Sequence, residues 1–145
     1  MTAQVLQLSQ IRTEGEATTK TEAMREAHGI LMAAGAVTAA YLPAMLEREE
    51  SVSTYMGNFL AIPHGTNESK EAILSSALSF VRYSQPIDWD GNPVRFVVGI
   101  AGVENQHLDI LSKIAIVFSD EDEVDALLGA KSAEEILDIL SEVNS

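Results

Sequence analysis

Apolar and polar positions change period twice along the chain, dividing it into a helical stretch, a stretch of strands and a second helical stretch. Between residues 20 and 34, Ala23, Ala27, Ile30 and Leu31 recur at helical spacing. Thr19 with Glu22 three residues on is a capping-box pattern, and Gly35 stands where a C-terminal cap belongs. A second helix is expected to reach about residue 50, with Tyr41, Leu42, Met45 and Leu46 as its apolar face. Thr38 is its natural N-cap, but Pro43 would then lie past the first turn and lose a backbone hydrogen bond, so the regular part starts later or is kinked.

Residues 8–12 read as a short strand, and from 58 to 102 the period shortens again. Residues 59–62 form an apolar run ended by Pro63 and Gly65. Residues 74–83 alternate loosely, with Leu78, Phe80 and Arg82 on one side, and residues 94–101 are β-branched and apolar up to Gly102. Asp88-Trp89-Asp90-Gly91-Asn92-Pro93 is a turn in which Gly91 and Asn92 can take positive φ. Helical spacing then returns. Leu108, Leu111, Ile114, Ala115 and Phe118 make one stripe; Val124, Leu127 and Leu128 mark a short helix ended by Gly129; Ser132 with Glu135 caps a final helix carrying Ile136, Leu137, Ile139 and Leu140. The predicted order is β-α-α-β-β-β-α-α-α, an α+β fold with a mixed sheet covered by helices in a three-layer α/β/α arrangement. No repeat or linker divides the chain, so residues 1–145 are expected to form one domain.

Composition narrows the function. Nine Lys and Arg stand against 22 Asp and Glu, a net charge of −13, which argues against nucleic acid and against an anionic membrane surface. Nine of the acids and a single base fall in residues 119–145, away from the motifs. With no cysteine, disulfides, thiolate metal sites and cysteine nucleophiles are excluded. The apolar run at residues 96–103 is far too short to span a bilayer, and the first eleven residues lack the basic-then-apolar layout of a signal peptide. A cytoplasmic protein without membrane insertion is expected.

Candidate chemistry centres on two of three histidines. His28 lies inside the first predicted helix, where a structural role is expected. His64 ends an apolar strand in Leu60-Ala61-Ile62-Pro63-His64-Gly65-Thr66, with Pro63 fixing φ on one side and Gly65 allowing close approach on the other. His107 follows Gly102-Val103-Glu104-Asn105-Gln106; with Asn105 as N-cap it falls in the first turn of a helix, where unsatisfied N–H groups and the helix dipole favour an anion. Arg48, among Glu47, Glu49 and Glu50, reads either as a surface ion pair or as a guanidinium fork for phosphate oxygens. No histidines stand at metal-binding spacing, Asp88, Asp90 and Asp109 are explained by a turn and an exposed helix face, and no Gly-x-Ser-x-Gly elbow or phosphate-cradling glycine loop occurs.

The segments Ala44-Met45-Leu46-Glu47-Arg48-Glu49, Ser53-Thr54-Tyr55-Met56-Gly57-Asn58 and Ala61-Ile62-Pro63-His64-Gly65-Thr66 resemble the enzyme IIA domain of the mannitol/fructose branch of the bacterial phosphoenolpyruvate-dependent sugar phosphotransferase system. The resemblance continues through Asp88-Trp89-Asp90-Gly91, Val97-Val98-Gly99-Ile100-Ala101-Gly102, His107-Leu108-Asp109-Ile110-Leu111-Ser112 and Lys131-Ser132-Ala133-Glu134-Glu135-Ile136, in order over nearly the whole chain. The turn and the Gly-Ile-Ala-Gly strand look most like mannitol-specific members. By that resemblance, His64 matches the histidine whose Nε2 takes a phosphoryl group from the carrier protein HPr and passes it to a cysteine of the mannitol-specific IIB domain of a IICB permease. His107 matches a histidine that donates a hydrogen bond to the phosphoryl group, and Arg48 matches the active-site arginine. Thr66 and Gly65 offer further donors, and neither a cofactor nor a metal is implied. The nitrogen-related branch shares the fold and the histidine, with a regulatory role in place of transport. One departure is visible: many members have glycine where this chain has Phe59.

Overall fold

In the computed structural model, which describes residues 5–66, 71–103 and 106–141, a 3-10 turn (Leu8–Gln10) leads into strand β1 (Ile11–Arg12). Helices α1 (Lys20–Ala33) and α2 (Tyr41–Ser51) follow, then strands β2 (Tyr55–Gly57), β3 (Leu60–Ala61), β4 (Ala77–Trp89) and β5 (Asn92–Ala101). Helices α3 (Gln106–Phe118), α4 (Glu121–Gly129) and α5 (Ala133–Ile139) complete the fold. The predicted order holds with one strand added: the strand expected at residues 59–62 is one arm of a short hairpin whose other arm is β2.

The sheet order is β1-β4-β5-β3-β2, with β1 parallel to β4 and β3 parallel to β5, while β4–β5 and β2–β3 are antiparallel. Alternation along the two long strands sets the layers. Leu78, Phe80, Phe96, Val98 and Ile100 pack toward α3, α4 and α5, whereas Val81, Tyr83, Val97 and Ala101 pack toward α1 and α2. Because both faces are covered, β5 reads as a nearly continuous apolar run. Gly99 lets α1 come close: a Cβ there would stand 3.1 Å from the Cβ of Ala27.

Local chemistry fixes the helix ends. Thr19 Oγ1 accepts from the Glu22 N–H at 3.2 Å, Ser132 Oγ accepts from the Glu135 N–H at 3.2 Å, and Gly35 takes φ +76° after α1. The helix α2 starts at Tyr41, after the expected cap, so Pro43 sits in the first turn, where its missing N–H has no helical acceptor to lose. The Thr38 carbonyl receives the Tyr41 N–H at 3.1 Å and lies 3.1 Å from His28 Nε2, which gives buried His28 the structural role expected of it. Arg82 faces α4, as its alternation with Leu78 and Phe80 requires. Its guanidinium donates to the carbonyls of Leu127 (2.8 Å) and Ala130 (2.6 Å), closing the helix C-terminus.

Two expectations are corrected. Leu108 is exposed, and the buried stripe of α3 is Ile110, Ile114, Val117 and Phe118; it keeps Ile114 and Phe118 of the expected stripe but is turned from it by roughly 70° about the helix axis. The turn between β4 and β5 places Asp90 (φ 55°) and Gly91 (φ 94°), not Asn92, in the left-handed region. A two-residue connection with both φ values positive matches the strand twist, and Asp-Gly suits it.

The β2–β3 hairpin repeats that turn with less suitable residues, Asn58 (φ 49°) and Phe59 (φ 67°). A left-handed conformation costs an L-residue roughly 1–2 kcal/mol, and neighbouring bonds hold it there: the Phe59 carbonyl accepts from the N–H groups of Arg95 and Phe96, each at 2.9 Å, and Asn58 Nδ2 donates to the Phe118 carbonyl at 2.7 Å. Phe59→Gly and Phe59→Ala delete the same ring contacts, but only glycine escapes the Cβ penalty. The glycine variant should therefore be more stable than the alanine variant by roughly 1 kcal/mol. Paired urea denaturation curves check the order, and an alanine variant equal to or above the glycine one would show that the turn relaxes instead.

Candidate functional site

The parallel strands β3 and β5 direct their carboxyl ends to the same side of the sheet, where ligands of open α/β sheets gather. Beyond β3 the backbone stays attached to β5: the Ile100 N–H donates to the Pro63 carbonyl at 3.1 Å, and His64 forms an isolated parallel bridge with Ile100. The His64 ring is fixed by its own backbone, with Nδ1 2.8 Å from the Ile62 carbonyl. A carbonyl only accepts, so Nδ1 carries the proton and the neutral ring keeps an unprotonated Nε2. Sequence spacing had placed the histidine at a strand end; the structure adds the tautomer.

Tyr41 locks the other side of the histidine. Its hydroxyl donates to the Ile100 carbonyl at 2.8 Å and accepts from the Gly65 N–H at 2.9 Å, and burial raises the phenol pKa above its ordinary value. In the sequence Tyr41 belongs to an apolar helix face. The only hint of a polar duty was that a buried tyrosine hydroxyl needs partners. Gly65 thus already spends its N–H on Tyr41, and Thr66 follows it, half-buried.

Arg48 stands in the last turn of α2, half-buried, and donates from Nη1 to the Val52 carbonyl at 2.7 Å. Among the described residues it makes no ion pair with a carboxylate, so the surface pairing with its glutamate neighbours does not form; Glu49 points inward instead. His107 is the second residue of α3 and half-buried. Its place is set by Gly102, where a Cβ would collide with the His107 backbone, and by Ser76, whose hydroxyl accepts from the Val103 N–H at 2.9 Å and donates to the Gln106 side chain. Asn105, the expected N-cap, lies outside the described residues. Asp88 and Asp90 serve the β4–β5 turn and its ion pair with Lys20, and Asp109 pairs with Lys113 at 3.0 Å along α3. Among the described residues, no three His, Cys, Asp or Glu side chains are grouped so as to hold a metal ion. None of the described helices is long and apolar enough to cross a membrane.

The tertiary fold brings the three candidates into one electrostatic neighbourhood. Burial is the largest influence on His64 and lowers its pKa; the Ile62 hydrogen bond opposes this, Arg48 and His107 lower it further, and Glu49 raises it. The net direction is down from 6.5, so the ring is neutral at pH 7. In the unfolded chain the histidine binds a proton more readily, so its contribution to stability is present above pH 6.5 and is lost as pH falls through the folded pKa. An imidazole NMR titration should place the His64 midpoint below 6.5. A midpoint at or above that value would mean that protonation is not resisted.

An unprotonated Nε2, on a ring held through Nδ1 by the Ile62 carbonyl and within the field of an arginine and a second histidine, has the chemistry of a nucleophile toward an anionic group. A sheet-end histidine site of this kind, on a mixed sheet between two helical layers, defines the class. Comparison with known proteins gives the family. Residues 4–143 match the family model for the phosphoenolpyruvate-dependent sugar phosphotransferase system, EIIA 2, and the chain belongs to that family. It is 49% identical over 144 residues to the mannitol-specific phosphotransferase enzyme IIA component of Halalkalibacterium halodurans, covering 99% of both chains. Its fold superposes on a chain from the complex of enzyme IIAMTL and phosphorylated enzyme IIBMTL of Escherichia coli with a TM-score of 0.88 at 31% identity, covering 94% of this chain and 97% of that one. The nitrogen regulatory protein IIA-Ntr of Neisseria meningitidis superposes less closely, with a TM-score of 0.79 at 29% identity over 94% of this chain and 96% of that one.

Proposed function

We propose that the chain is one cytoplasmic IIA domain that relays phosphoryl groups in mannitol uptake, with His64 as the acceptor. The tautomer of His64 carries this reading: Nδ1–H is committed to the Ile62 carbonyl at 2.8 Å, which leaves the Nε2 lone pair for phosphorus. The high identity to a mannitol-specific relative, over nearly the full length of both chains, supports mannitol as the pathway's sugar. Likeness to a IIA chain seen with phosphorylated IIB supports a IIB domain as the next acceptor.

In the first step the Nε2 lone pair forms a bond to phosphorus as the bond between phosphorus and the phosphohistidine nitrogen of HPr breaks, and the electron pair returns to the carrier's ring. In the second, a cysteine thiolate of IIB attacks the same phosphorus and His64 Nε2 leaves with its pair. Neither step needs a strong base. Each needs in-line placement and donors for the equatorial oxygens, for which Arg48, His107 and the Thr66 hydroxyl are the candidates.

The test is a labelling experiment. Phosphoenolpyruvate, enzyme I and HPr should place one phosphoryl group on the chain, and an isolated mannitol IIB domain should then remove it. A regulatory role in the nitrogen branch predicts the labelling without the transfer. No labelling at all would reject both.

A further inference from the structure

Arg48 and its neighbour Glu49 are adjacent in the last turn of α2, yet only the glutamate is buried, with 5% of its surface exposed. Its carboxylate is fully engaged: both oxygens accept from the Thr54 N–H (3.2 and 3.1 Å), and the Thr54 hydroxyl, Trp89 Nε1 (3.1 Å) and Lys20 Nζ (3.2 Å) complete the set. Lys20 also reaches Asp90 at 2.7 Å and lies over the Trp89 ring. Burying an ion pair contributes little net stability compared with a well-packed apolar substitute. Stability alone therefore does not account for a carboxylate here.

The hydrogen bonds lead from that carboxylate to the reactive ring. Glu49 holds Thr54; the Thr54 carbonyl accepts from the Ile62 N–H at 3.1 Å; the Ile62 carbonyl accepts from His64 Nδ1–H at 2.8 Å. No link in this chain passes through Lys20.

We propose that Glu49 is a positioning residue for phosphoryl transfer: through Thr54 and Ile62 it fixes the orientation of the His64 ring. The proposal rests on His64 being the acceptor. Among the described residues, the ionisable groups facing Glu49 and His64 are Lys20 from α1, Tyr41 and Arg48 from α2, and His107 from α3. Arg48 and His107 disfavour the protonated ring and Glu49 favours it, so removal of Glu49 should move the His64 titration to lower pH.

The test compares Glu49→Gln and Glu49→Asp with Lys20→Met and His64→Ala, by rates of labelling from phospho-HPr and by imidazole NMR. Glu49→Gln should lower the maximal labelling rate at least tenfold, leave the KM for HPr within twofold, and shift the His64 midpoint down. Glu49→Asp, which keeps the charge but shortens the reach, should lose at least fivefold in rate with the midpoint unchanged, and it decides the matter if the glutamine variant does not fold. Lys20→Met removes a partner of the carboxylate outside the chain to His64, and its rate should stay within twofold of the parent. Parent-like rates in Glu49→Gln or Glu49→Asp would overturn the proposal, as would an equal loss in Lys20→Met, which would make the effect one of general stability. If His64→Ala is labelled like the parent, the acceptor assignment itself fails; if it is silent while the glutamate variants are normal, only the role of Glu49 fails.

Discussion

His64→Ala should take up no phosphoryl group from phospho-HPr, the largest effect expected of any single substitution. The other two histidines do not offer a substitute. His28 is buried against the Thr38 carbonyl, and His107 belongs to another element, held by the close contact of Gly102 with its backbone. An alanine at position 64 leaves Arg48 and Tyr41 in place but removes the lone pair proposed to form the bond to phosphorus, and positioning cannot replace a missing nucleophile. Radiolabel transfer from phosphoenolpyruvate through enzyme I and HPr measures this directly. Any label on the variant at the parent's rate would move the acceptor elsewhere. The substitution should leave the fold intact, because the bonds that hold the segment, from Ile100 N–H to Pro63 and from Gly65 N–H to Tyr41, are made by backbone groups of neighbouring residues.

His107→Ala should still bind HPr yet transfer about 10²–10³ times more slowly, the loss typical of removing one donor aimed at developing charge. His107 stands in the first turn of α3, and Ser76 bonds both Val103 and Gln106 close by, so the proposed donor sits on anchored backbone before a phosphoryl group arrives. A donor of this kind acts on the transition state more than on the bound carrier, so the maximal rate should fall while the KM for HPr stays nearly constant. Quench-flow labelling over a range of HPr concentrations separates the two quantities. An unchanged maximal rate would remove His107 from the chemistry. Removing His107 also takes away an influence that lowers the His64 pKa, so the His64 midpoint should rise in the same variant.

Where the sequence could be read and where it could not follows from the range of the forces involved. Thr19 with Glu22, Ser132 with Glu135, and Gly35 mark helix ends because capping acts over three or four residues, and those marks hold in the structure. The β2–β3 hairpin was half hidden: its turn is Asn58-Phe59, and without a glycine in the second position the strongest short-range hairpin signal is missing. The far end of β4 was hidden as well, because Gln85 and Pro86 fall where the register with β5 shifts, between Arg82 and Ile87, and interrupt the alternation. Leu108 was misplaced since both of its possible faces carry apolar residues, and only packing against the sheet selects between them.

By itself the sequence determined the layers of the fold, through the period of its apolar positions, and the identity of His64, His107 and Arg48 as candidates, through residue type and neighbours. Tertiary structure decided what those residues have become. Three side chains, from α2, from the segment after β3 and from the start of α3, share one field where the parallel strands β3 and β5 direct their carboxyl ends. One of three glutamates around Arg48 is buried because only that position faces Trp89 and Lys20, and an apolar-face tyrosine becomes the brace of the site because its hydroxyl meets the Ile100 carbonyl and the Gly65 N–H. Residues dozens of positions apart in sequence meet there, and hydrogen bonds and desolvation act over a few ångströms of space, a distance that local pattern does not encode.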